Sequence, residues 1–337
     1  RKSFRLIHAK WALLGFRRRE SDAWRLRLLV STGNWTRGTV EKSLDLVWRD
    51  EVGSDDLPAS GRSVRTCSDI AFAWDALSWL RERYDQRLLS IGTGTGYTAS
   101  TRNGDLQMQG WVEEARRSAS GKPRLFDNRR RSLLRQLPQM VEREGGLVRR
   151  NYLCMGSGFY EGGEGGGQAP KVPAAIVTGL GEAGLLTRDQ PEVDIFVNPD
   201  ACQAIAESAA AIESRGWTIR AAVQPEFLRS ANLTKDLHAK FIFSANHRSG
   251  SLVASSPWIY LGSGNLTGPG FMQAAGPAGN YELGVVIAPD APLHWTPGKK
   301  RVDGIDAVTQ RLPVGWDGDS KIDASKLKCG SEMPERK

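Results

Sequence analysis

The sequence predicts an α/β protein built from two pseudo-repeated domains, each a mixed β-sheet flanked by helices. The first observation is a pattern of histidine, lysine, asparagine and carboxylate that occurs near the start of the chain and again near residue 240. The second is an alternation of strand-like and helix-like apolar patterns over residues 150–237. Core packing repeats apolar positions, so a repeated polar pattern needs another cause. We therefore predict that the repeated polar residues have a function.

The first copy lies at the beginning of the sequence. His8 and Lys10 are two residues apart in an apolar run, and the two-residue period of a β-strand puts both side chains on the same face. A turn and a second strand then lead to a Ser-Thr-Gly-Asn segment that ends at Asn34. The predicted hairpin, with strands at 4–16 and 24–31, therefore brings Asn34 back beside the histidine and the lysine.

The second copy repeats this order. His238 and Lys240 lie in the apolar run 237–243, and a second run at 258–261 leads into a Gly-Ser-Gly-Asn turn that carries Asn265. The histidine and the asparagine are 26 residues apart in the first copy and 27 residues apart in the second. This matched spacing predicts equivalent hairpins, in which the histidine, the lysine and the asparagine converge.

Each copy also continues to a carboxylate that heads another apolar run. These carboxylates are Asp45 in the first copy and Glu282 in the second. Thr32 and Ser263 occupy equivalent places two residues before each asparagine, and we expect them to support the site and to reach a bound phosphate. One His-x-Lys pair alone would be a weak signal, because a single histidine on a strand is more often structural. Two copies with matched asparagine and acid partners indicate a functional site.

The two His-x-Lys pairs resemble the motifs of the phospholipase D superfamily, whose members build one active site from two such motifs. In the wider superfamily an aspartate follows the lysine by five residues, whereas Gly15 and Ala245 occupy those positions here. The tyrosyl-DNA phosphodiesterase branch shares this absence. The Asn-Tyr-Glu-Leu-Gly-Val segment at 280–285 and the Asn-Leu-Thr turn at 265–267 are also most similar to that branch. The resemblance implies two phospholipase D-like domains with one active site at their interface.

Cleavage of a phosphodiester needs a nucleophile, an acid for the leaving oxygen, and positive groups around the phosphoryl oxygens. One neutral histidine can attack phosphorus to form a phosphohistidine, while the other protonates the leaving group and later activates water. Lysine and asparagine can stabilise the phosphoryl oxygens, and a carboxylate can orient each imidazole. The predicted catalytic residues are therefore His8, Lys10, Asn34, His238, Lys240 and Asn265, with Asp45, Glu282, Thr32 and Ser263 in supporting roles.

The resemblance also implies how the two histidines divide the work. By similarity to tyrosyl-DNA phosphodiesterase, His8 would be the nucleophile and His238 the general acid and base, whereas the nearly symmetric sequence alone leaves both assignments open. The same resemblance implies that no metal ion and no cofactor take part. Trp35 follows Asn34 directly, and could either stack on a nucleobase as a substrate-binding residue or lie in the core.

The net charge of +8 favours a polyanionic partner, because a protein that neutralises phosphates releases their counterions. Together with a phosphodiesterase-like site, this charge predicts nucleic acid as the partner, with DNA favoured. The first prediction of function is thus a metal-independent phosphodiesterase, either a nuclease or an enzyme that processes DNA 3′ ends. Two alternatives stay open: a phospholipase D or phosphatidyl transferase acting on lipids, and a catalytically idle DNA-binding subunit of a larger assembly.

Apolar patterning and cysteine usage predict a cytoplasmic protein that has no membrane partner. No apolar run approaches the ~20 residues that span a bilayer, and no signal peptide is visible. The four cysteines do not have the spacing of a zinc site. We therefore expect free thiols in a reducing compartment.

The predicted organisation has three parts. Residues 1–148 form the first phospholipase D-like domain, 149–295 form the second, and 296–337 are an irregular C-terminal tail. The second motif has a long lead-in of strands and helix, whereas seven residues precede His8. We therefore expect a preceding segment or a partner chain to supply the opening strands of the first domain.

Helical periodicity predicts three helices outside the two motifs. They run from Ser68 to about residue 84, from 129 to 144, and from 199 to 214. The Gly- and Thr-rich stretch 92–104 is superficially similar to a phosphate-binding loop, but it lacks the Lys-Ser/Thr ending of that motif. We predict a surface loop there.

Overall fold

Strands and helices alternate along the chain, and the predicted α/β class is confirmed. The computed structural model describes residues 4–83, 99–163, 167–228, 235–290, 293–296, 306–316 and 320–327. The strands are β1 (Trp11–Arg17), β2 (Trp24–Ser31), β3 (Ser43–Leu44), β4 (Val47–Gly53), β5 (Leu125–Asp127), β6 (Tyr152–Gly156), β7 (Glu192–Val197), β8 (Thr218–Ala221), β9 (Asp236–Leu237), β10 (Phe241–Asn246), β11 (Val253–Gly262), β12 (Leu283–Ile287), β13 (Leu293–His294) and β14 (Asp306–Ala307). The helices are α1 (Arg37–Lys42), α2 (Arg62–Arg81), α3 (Ala99–Arg117), α4 (Leu133–Gly145), α5 (Lys171–Glu182), α6 (Gln203–Glu207), α7 (Ala209–Ser214) and α8 (Val308–Arg311).

The first sheet has three antiparallel strands in the order β1–β2–β4. β1 and β2 form a hairpin in which Trp11 lies opposite Val30 and Arg17 lies opposite Trp24. Every second residue of β2 from Trp24 to Val30 is buried, which is the period expected of a strand with one face on a core. Helices α2 and α3 pack against this sheet.

The second sheet is larger and contains both parallel and antiparallel pairs. Its main path is β12–β11–β10–β6–β7–β8, and β5 extends it beyond β12. β6, β7 and β8 are parallel, and the chain passes through α5 and then through α6 and α7 between them. The predicted β-α-β order before the second motif is therefore confirmed. β10 runs antiparallel to both β6 and β11.

Three strands of the first sheet correspond to three strands of the second. In the first sheet, β1 follows the His-x-Lys tripeptide and forms a hairpin with β2, and β2 pairs with β4, which follows Asp45. In the second sheet, β10 follows the other tripeptide and forms a hairpin with β11, and β11 pairs with β12, which follows Glu282. The other edge of β10 pairs with β6, whereas no strand among the described residues pairs with the other edge of β1. It stays a prediction that a preceding segment or a partner chain supplies further strands beside β1.

Residues on both sides of the predicted domain boundary contribute to the second core. Phe126 of β5 and Leu137 of α4 are buried in one cluster with Ile195 of β7 and Ile242 of β10. β5 reaches this core because it pairs with β12. The division at residue 148 stays a prediction, but the sheet that lies mainly in the second half of the chain also includes β5.

Part of the predicted irregular tail is packed on the second sheet. Val308, Leu312 and Val314 are buried, and they share a cluster with Phe243 and Trp295. β14 also pairs in parallel with β13. The expectation of an irregular tail is thus wrong for residues 306–314, because a few apolar side chains among glycine, proline and charged residues are enough to anchor the segment.

All three predicted helices have different limits. The helix predicted at 129–144 is α4, which begins at Leu133 because Ser132 is its N-cap. α2 begins at Arg62, and Ser68 lies inside it, where its hydroxyl donates to Val64 O at 3.2 Å and to Ser120 O at 3.0 Å. The predicted helix 199–214 consists of two short helices, α6 and α7, that meet at Ser208.

Helix α3 has no counterpart in the sequence prediction. Its glycine, threonine and asparagine residues lower the intrinsic helix propensity, and packing of Val112 and Ala115 in the first core compensates. It begins inside the Gly- and Thr-rich stretch, of which residues 92–98 lie outside the described part of the chain. None of the described helices combines the length and the apolar character needed to cross a membrane.

A buried ion cluster joins α2, β4 and the segment before β5. Arg124 donates from Nε to Asp69 at 2.7 Å and from Nη2 to Asp50 at 2.5 Å. Its guanidinium carbon also lies 4.9 Å from the ring centroid of Trp48. Burial raises the pKa of Asp69 to about 6, and the charge of Arg124 opposes this rise. Without the arginine, two buried carboxylates would have no compensating charge.

We expect Arg124→Met to lower the free energy of unfolding by about 3–5 kcal/mol, because it breaks a buried ion cluster by removing one partner. Urea unfolding followed by tryptophan fluorescence measures the loss. Arg116→Met is the matched control, since Arg116 pairs with Asp75 at 2.7 Å on the surface and should contribute less than about 1 kcal/mol. Equal losses in the two variants would contradict a special role for the buried cluster.

Candidate active site

The two His-x-Lys tripeptides lie next to strands rather than inside them, which corrects the predicted strand limits. The first tripeptide immediately precedes β1, and the second lies between β9 and β10. The amides of His8 and Ala9 donate to Tyr281 O at 3.0 and 2.9 Å. The amide of His238 donates in the same way to Leu44 O at 3.1 Å. Each tripeptide is thus held by the residue that precedes the carboxylate of the other copy.

Each imidazole lies against the carboxylate of the opposite copy. Nδ1 of His8 is 3.0 Å from both carboxylate oxygens of Glu282, which is fully buried. Nδ1 of His238 is 3.0 and 3.2 Å from the carboxylate oxygens of Asp45. With Nδ1 donating its proton to a carboxylate, Nε2 of a neutral imidazole carries the free electron pair. This geometry orients both rings for chemistry at Nε2.

The hydroxyls of Thr32 and Ser263 hold these carboxylates in place. Thr32 Oγ1 donates to Asp45 at 2.8 Å, and Ser263 Oγ donates to Glu282 at 2.5 Å. Both residues are fully buried. Each hydroxyl proton is directed at a carboxylate, and the expectation that these hydroxyls also reach a phosphate stays a prediction. Their support for the site is indirect.

The two lysines are buried within the same group of residues. Lys10 Nζ donates to the backbone oxygen of His8 at 2.6 Å. Lys240 Nζ donates to Thr32 O at 3.1 Å, and it lies 3.0 Å from Nε2 of His238. A phosphoryl oxygen bound beside that Nε2 would therefore lie within reach of the ammonium group.

Burial dominates the ionisation of both lysines. It lowers the pKa of Lys10 to about 8, against the attraction of Glu282 and Asp45. It lowers the pKa of Lys240 to about 7, where the charge of Lys10 adds to the shift and the same two carboxylates oppose it. The two lysines thus interact with each other and with both carboxylates. The side chains from the two copies form one electrostatic unit.

The two predicted asparagines differ in their surroundings. Asn34 is exposed, whereas Asn265 is half-buried. Its Oδ1 is buried and has no hydrogen-bond partner among the described residues. A buried polar atom without a partner is uncommon, and one at this position is consistent with a bond that a ligand completes. Trp35 has 54% of its surface exposed, so the alternative of a core tryptophan is wrong.

Several residues that position the site give no motif in the sequence. Asn128 is fully buried; its Oδ1 accepts from the amide of Glu282 at 2.8 Å, and its Nδ2 donates to Asn280 O at 2.7 Å. A Cβ on Gly33 would lie 2.3 Å from a carboxylate oxygen of Asp45, so this position has no room for a side chain. Only the Ser-Thr-Gly-Asn and Gly-Ser-Gly-Asn similarity could have drawn attention to the glycine.

A third histidine–carboxylate pair lies elsewhere in the molecule. Nδ1 of His247 is 2.9 Å from Glu192, and 42% of the histidine side chain is exposed. The pair therefore provides a comparison for the two site pairs. In the described part of the chain, no three or more His, Cys, Asp and Glu side chains form a group that could hold a metal ion.

No protein-family model and no curated protein matches this sequence. The chain is similar to a variant of yeast tyrosyl-DNA phosphodiesterase, with 11% identity and a TM-score of 0.44 over 80% of this chain and 66% of that one. It is also similar to polyphosphate kinase from Porphyromonas gingivalis, with 13% identity and a TM-score of 0.38 over 84% of this chain and 31% of that one. Phosphatidylserine synthase from Haemophilus influenzae Rd KW20 matches with 12% identity and a TM-score of 0.34 over 78% of this chain and 56% of that one.

The chain spans 31% to 66% of the length of these proteins. At such low identities and TM-scores, the activity of this chain has to be inferred from its own residues.

We expect Lys240→Met to raise the free energy of unfolding by about 1–3 kcal/mol at pH 7, because burial of the ammonium group outweighs its attraction to Asp45 and Glu282, so the charged lysine is a net cost to folding. The pKa of Lys240 is about 7 in the folded chain against 10.5 for a free lysine, so the unfolded state binds more protons between these values. The stability of the native chain therefore rises with pH in this window, and the gain from the substitution shrinks. Urea unfolding at several pH values measures both effects.

Lys326→Met is the matched control, because Lys326 is exposed. We expect it to change the stability by less than about 0.5 kcal/mol at every pH. A loss of stability in Lys240→Met at all pH values would contradict the prediction, and would show that the bond to Thr32 O outweighs the burial of the charge.

Proposed function

We propose that the chain cleaves phosphodiester bonds in nucleic acid, without a metal ion, through a covalent phosphohistidine. One observation carries this proposal: two imidazoles, each backed by the carboxylate of the other copy, share their surroundings with two buried lysines. A nucleophile and a separate acid are the two groups that a covalent displacement at phosphorus requires. The arrangement supplies both, together with positive charge for the phosphoryl oxygens.

In the first step, Nε2 of His8 attacks phosphorus and forms a P–N bond. The bond from phosphorus to the leaving oxygen breaks, and Nε2 of His238 gives its proton to that oxygen. We assign the two histidines in this order by their resemblance to tyrosyl-DNA phosphodiesterase. Glu282 stabilises the positive charge that develops on the attacking imidazole, since it lies 3.0 Å from its Nδ1.

In the second step, a water molecule gives a proton to Nε2 of His238, and its oxygen attacks phosphorus. The P–N bond breaks and frees His8, so the site returns to its starting protonation state. Asp45 supports this step, because it orients His238 through Nδ1. Lys10 and Lys240 neutralise the phosphoryl oxygens in both steps, and removal of one such donor typically costs about 10²–10³ in rate.

Charge favours nucleic acid as the substrate. The chain carries a net charge of +8, and a polyanion gains affinity from the counterions that its phosphates release. Exposed Trp35 follows Asn34 directly and offers a ring on which a base can stack, which is typically worth about 1–3 kcal/mol. We favour DNA, with either nuclease action or processing of a 3′ end as the reaction.

A substrate panel tests the proposal. The purified chain is given single-stranded DNA, duplex DNA, a 3′-tyrosyl oligonucleotide and phosphatidylcholine, each with EDTA present. We expect turnover of at least one DNA substrate. Turnover of the lipid alone would favour a phospholipase D or phosphatidyl transferase. DNA binding without any turnover would favour an idle binding subunit, and activity that EDTA abolishes would overturn the metal-independent mechanism.

The crosswise pairing predicts opposite kinetic defects for two carboxylate variants. We expect Asp45→Asn to slow hydrolysis of the intermediate and Glu282→Gln to slow its formation, because these residues support the water-activating and the attacking histidine. A thymidine 4-nitrophenyl phosphate isolates the two steps, since 4-nitrophenolate leaves without protonation. Asp45→Asn should therefore release a stoichiometric burst of nitrophenolate and accumulate an adduct in intact-mass spectra, whereas Glu282→Gln should show no burst.

Glu192→Gln is the control for this pair, since it alters the remote partner of His247 and should leave both phases unchanged. His8→Ala should abolish the adduct in every background. A burst in Glu282→Gln together with none in Asp45→Asn would reverse the assigned roles of the two histidines.

A further inference from the structure

A cavity of about 370 Å³ opens at the carboxyl ends of β6 and β7. The segment from Ser157 to Tyr160 forms one wall, and the first part of α6 forms another. The carboxyl ends of parallel strands are a common place for ligands in α/β proteins, and this volume is in the lower part of the range for ligand pockets. The mechanism proposed above makes no use of this cavity.

The cavity adjoins the second His-x-Lys tripeptide. A Cβ on Gly158 would lie 3.1 Å from Leu237 O and 3.2 Å from Cα of His238, so this wall packs directly against the histidine backbone. Asn198, on another wall, donates from Nδ2 to Leu237 O at 2.9 Å and accepts from Leu237 N at 2.6 Å. The same residues therefore shape the cavity and position His238.

The wall is also tied to the turn that carries Asn265. Ser157 Oγ accepts from the amide of Leu266 at 3.3 Å. Further along the same segment, Glu161 accepts from the amide of Gly268, and its own amide donates to Leu266 O at 3.2 Å. The cavity thus lies beside two of the residues proposed to act on the phosphate.

The lining of the cavity differs in charge from the catalytic centre. No lysine or arginine is among the described residues that line it, and Glu207 is the charged residue there. The remaining lining consists of small, amide and apolar side chains. Phe159 lies at the opening with 61% of its surface exposed. Such a lining disfavours a phosphate and suits a neutral, planar group that can stack on a phenyl ring.

We propose that this cavity binds the nucleobase of a nucleotide adjoining the cleaved phosphate, with Phe159 as its stacking surface. The proposal rests on the proposed action on nucleic acid. It separates the two parts of a nucleotide by charge: the anionic phosphate lies among Lys10, Lys240 and the imidazoles, and the neutral base lies in the adjoining cavity. Phe159 would then contribute to the choice of substrate without touching the reacting atoms.

Equilibrium binding tests this proposal independently of turnover. The full chain with His8→Ala is titrated into fluorescein-labelled hexathymidylate, and into a hexamer of abasic tetrahydrofuran units with the same phosphates. We expect tighter binding of the hexathymidylate. Adding Phe159→Ala should weaken the binding of hexathymidylate by about tenfold, which corresponds to the loss of one stacked base. The affinity for the abasic hexamer should change by less than about twofold. Phe16→Ala is the control, since Phe16 is an exposed phenylalanine near the far end of β1.

A second variant fills the cavity instead of removing the ring. Ala204→Leu adds a larger side chain to the α6 wall, and it should weaken the binding of hexathymidylate to a similar degree. Equal weakening of both hexamers by Phe159→Ala, or no weakening of either, would overturn the proposal. The proposal would also be overturned if Phe159→Ala weakened the binding of phosphocholine and left the binding of hexathymidylate unchanged. That result would favour a lipid head group as the ligand of the cavity.

Turnover of methyl 4-nitrophenyl phosphate separates this proposal from the proposed function. It has no base, so Phe159→Ala should leave its kcat/KM unchanged in the chain with native His8. If the native chain cleaves this diester and Phe159→Ala does not alter the binding of hexathymidylate, the base-binding cavity is wrong and the phosphodiesterase stands. If Phe159→Ala weakens the binding of hexathymidylate but not that of the abasic hexamer, and the native chain cleaves no diester, the cavity stands and the catalytic function fails.

Discussion

The bond between each imidazole and the carboxylate of the opposite copy is the interaction on which the rest of the site depends. Because Glu282 lies behind His8 and Asp45 lies behind His238, neither copy contains a complete set of groups. The two short parallel contacts, β3 with β9 and Ile7 with Tyr281, bring the required backbone segments together. The separate sheets are therefore joined where the chemistry needs them.

The same centre concentrates four ionisable groups whose charges balance. Two lysines and two carboxylates are formally neutral together, but burial lowers the pKa of Lys10 to about 8 and that of Lys240 to about 7. The protein thus places two lysines where their ammonium form is poorly solvated. An anionic phosphate would supply the electrostatic attraction that water does not supply there. The buried lysines, which destabilise the folded chain, would therefore contribute to the binding of the phosphate and to its reaction.

The sequence predicted those parts of the fold and site that leave a repeated or periodic pattern. His-x-Lys, the asparagine turns and the carboxylates recur at matched spacing, and β2 and the β6–β8 region show the expected apolar runs. Asn128 and Asn198 hold site segments through hydrogen bonds that leave no repeated spacing in the sequence, so no spacing could predict them. Helix α3 and the packed tail depend on tertiary contacts that override weak local preferences.

β6, β7 and β8, which extend the second sheet beyond β10, make the surroundings of the two histidines unequal. In the function proposed above, two nearly equivalent halves around one phosphate would offer no basis for distinguishing one end of a polynucleotide from the other. β6, β7 and β8, with the cavity at their ends, adjoin the His238 side, and no equivalent strands are described beside β1. The periphery of the fold would therefore decide the direction in which a bound strand runs, and with it which oxygen departs.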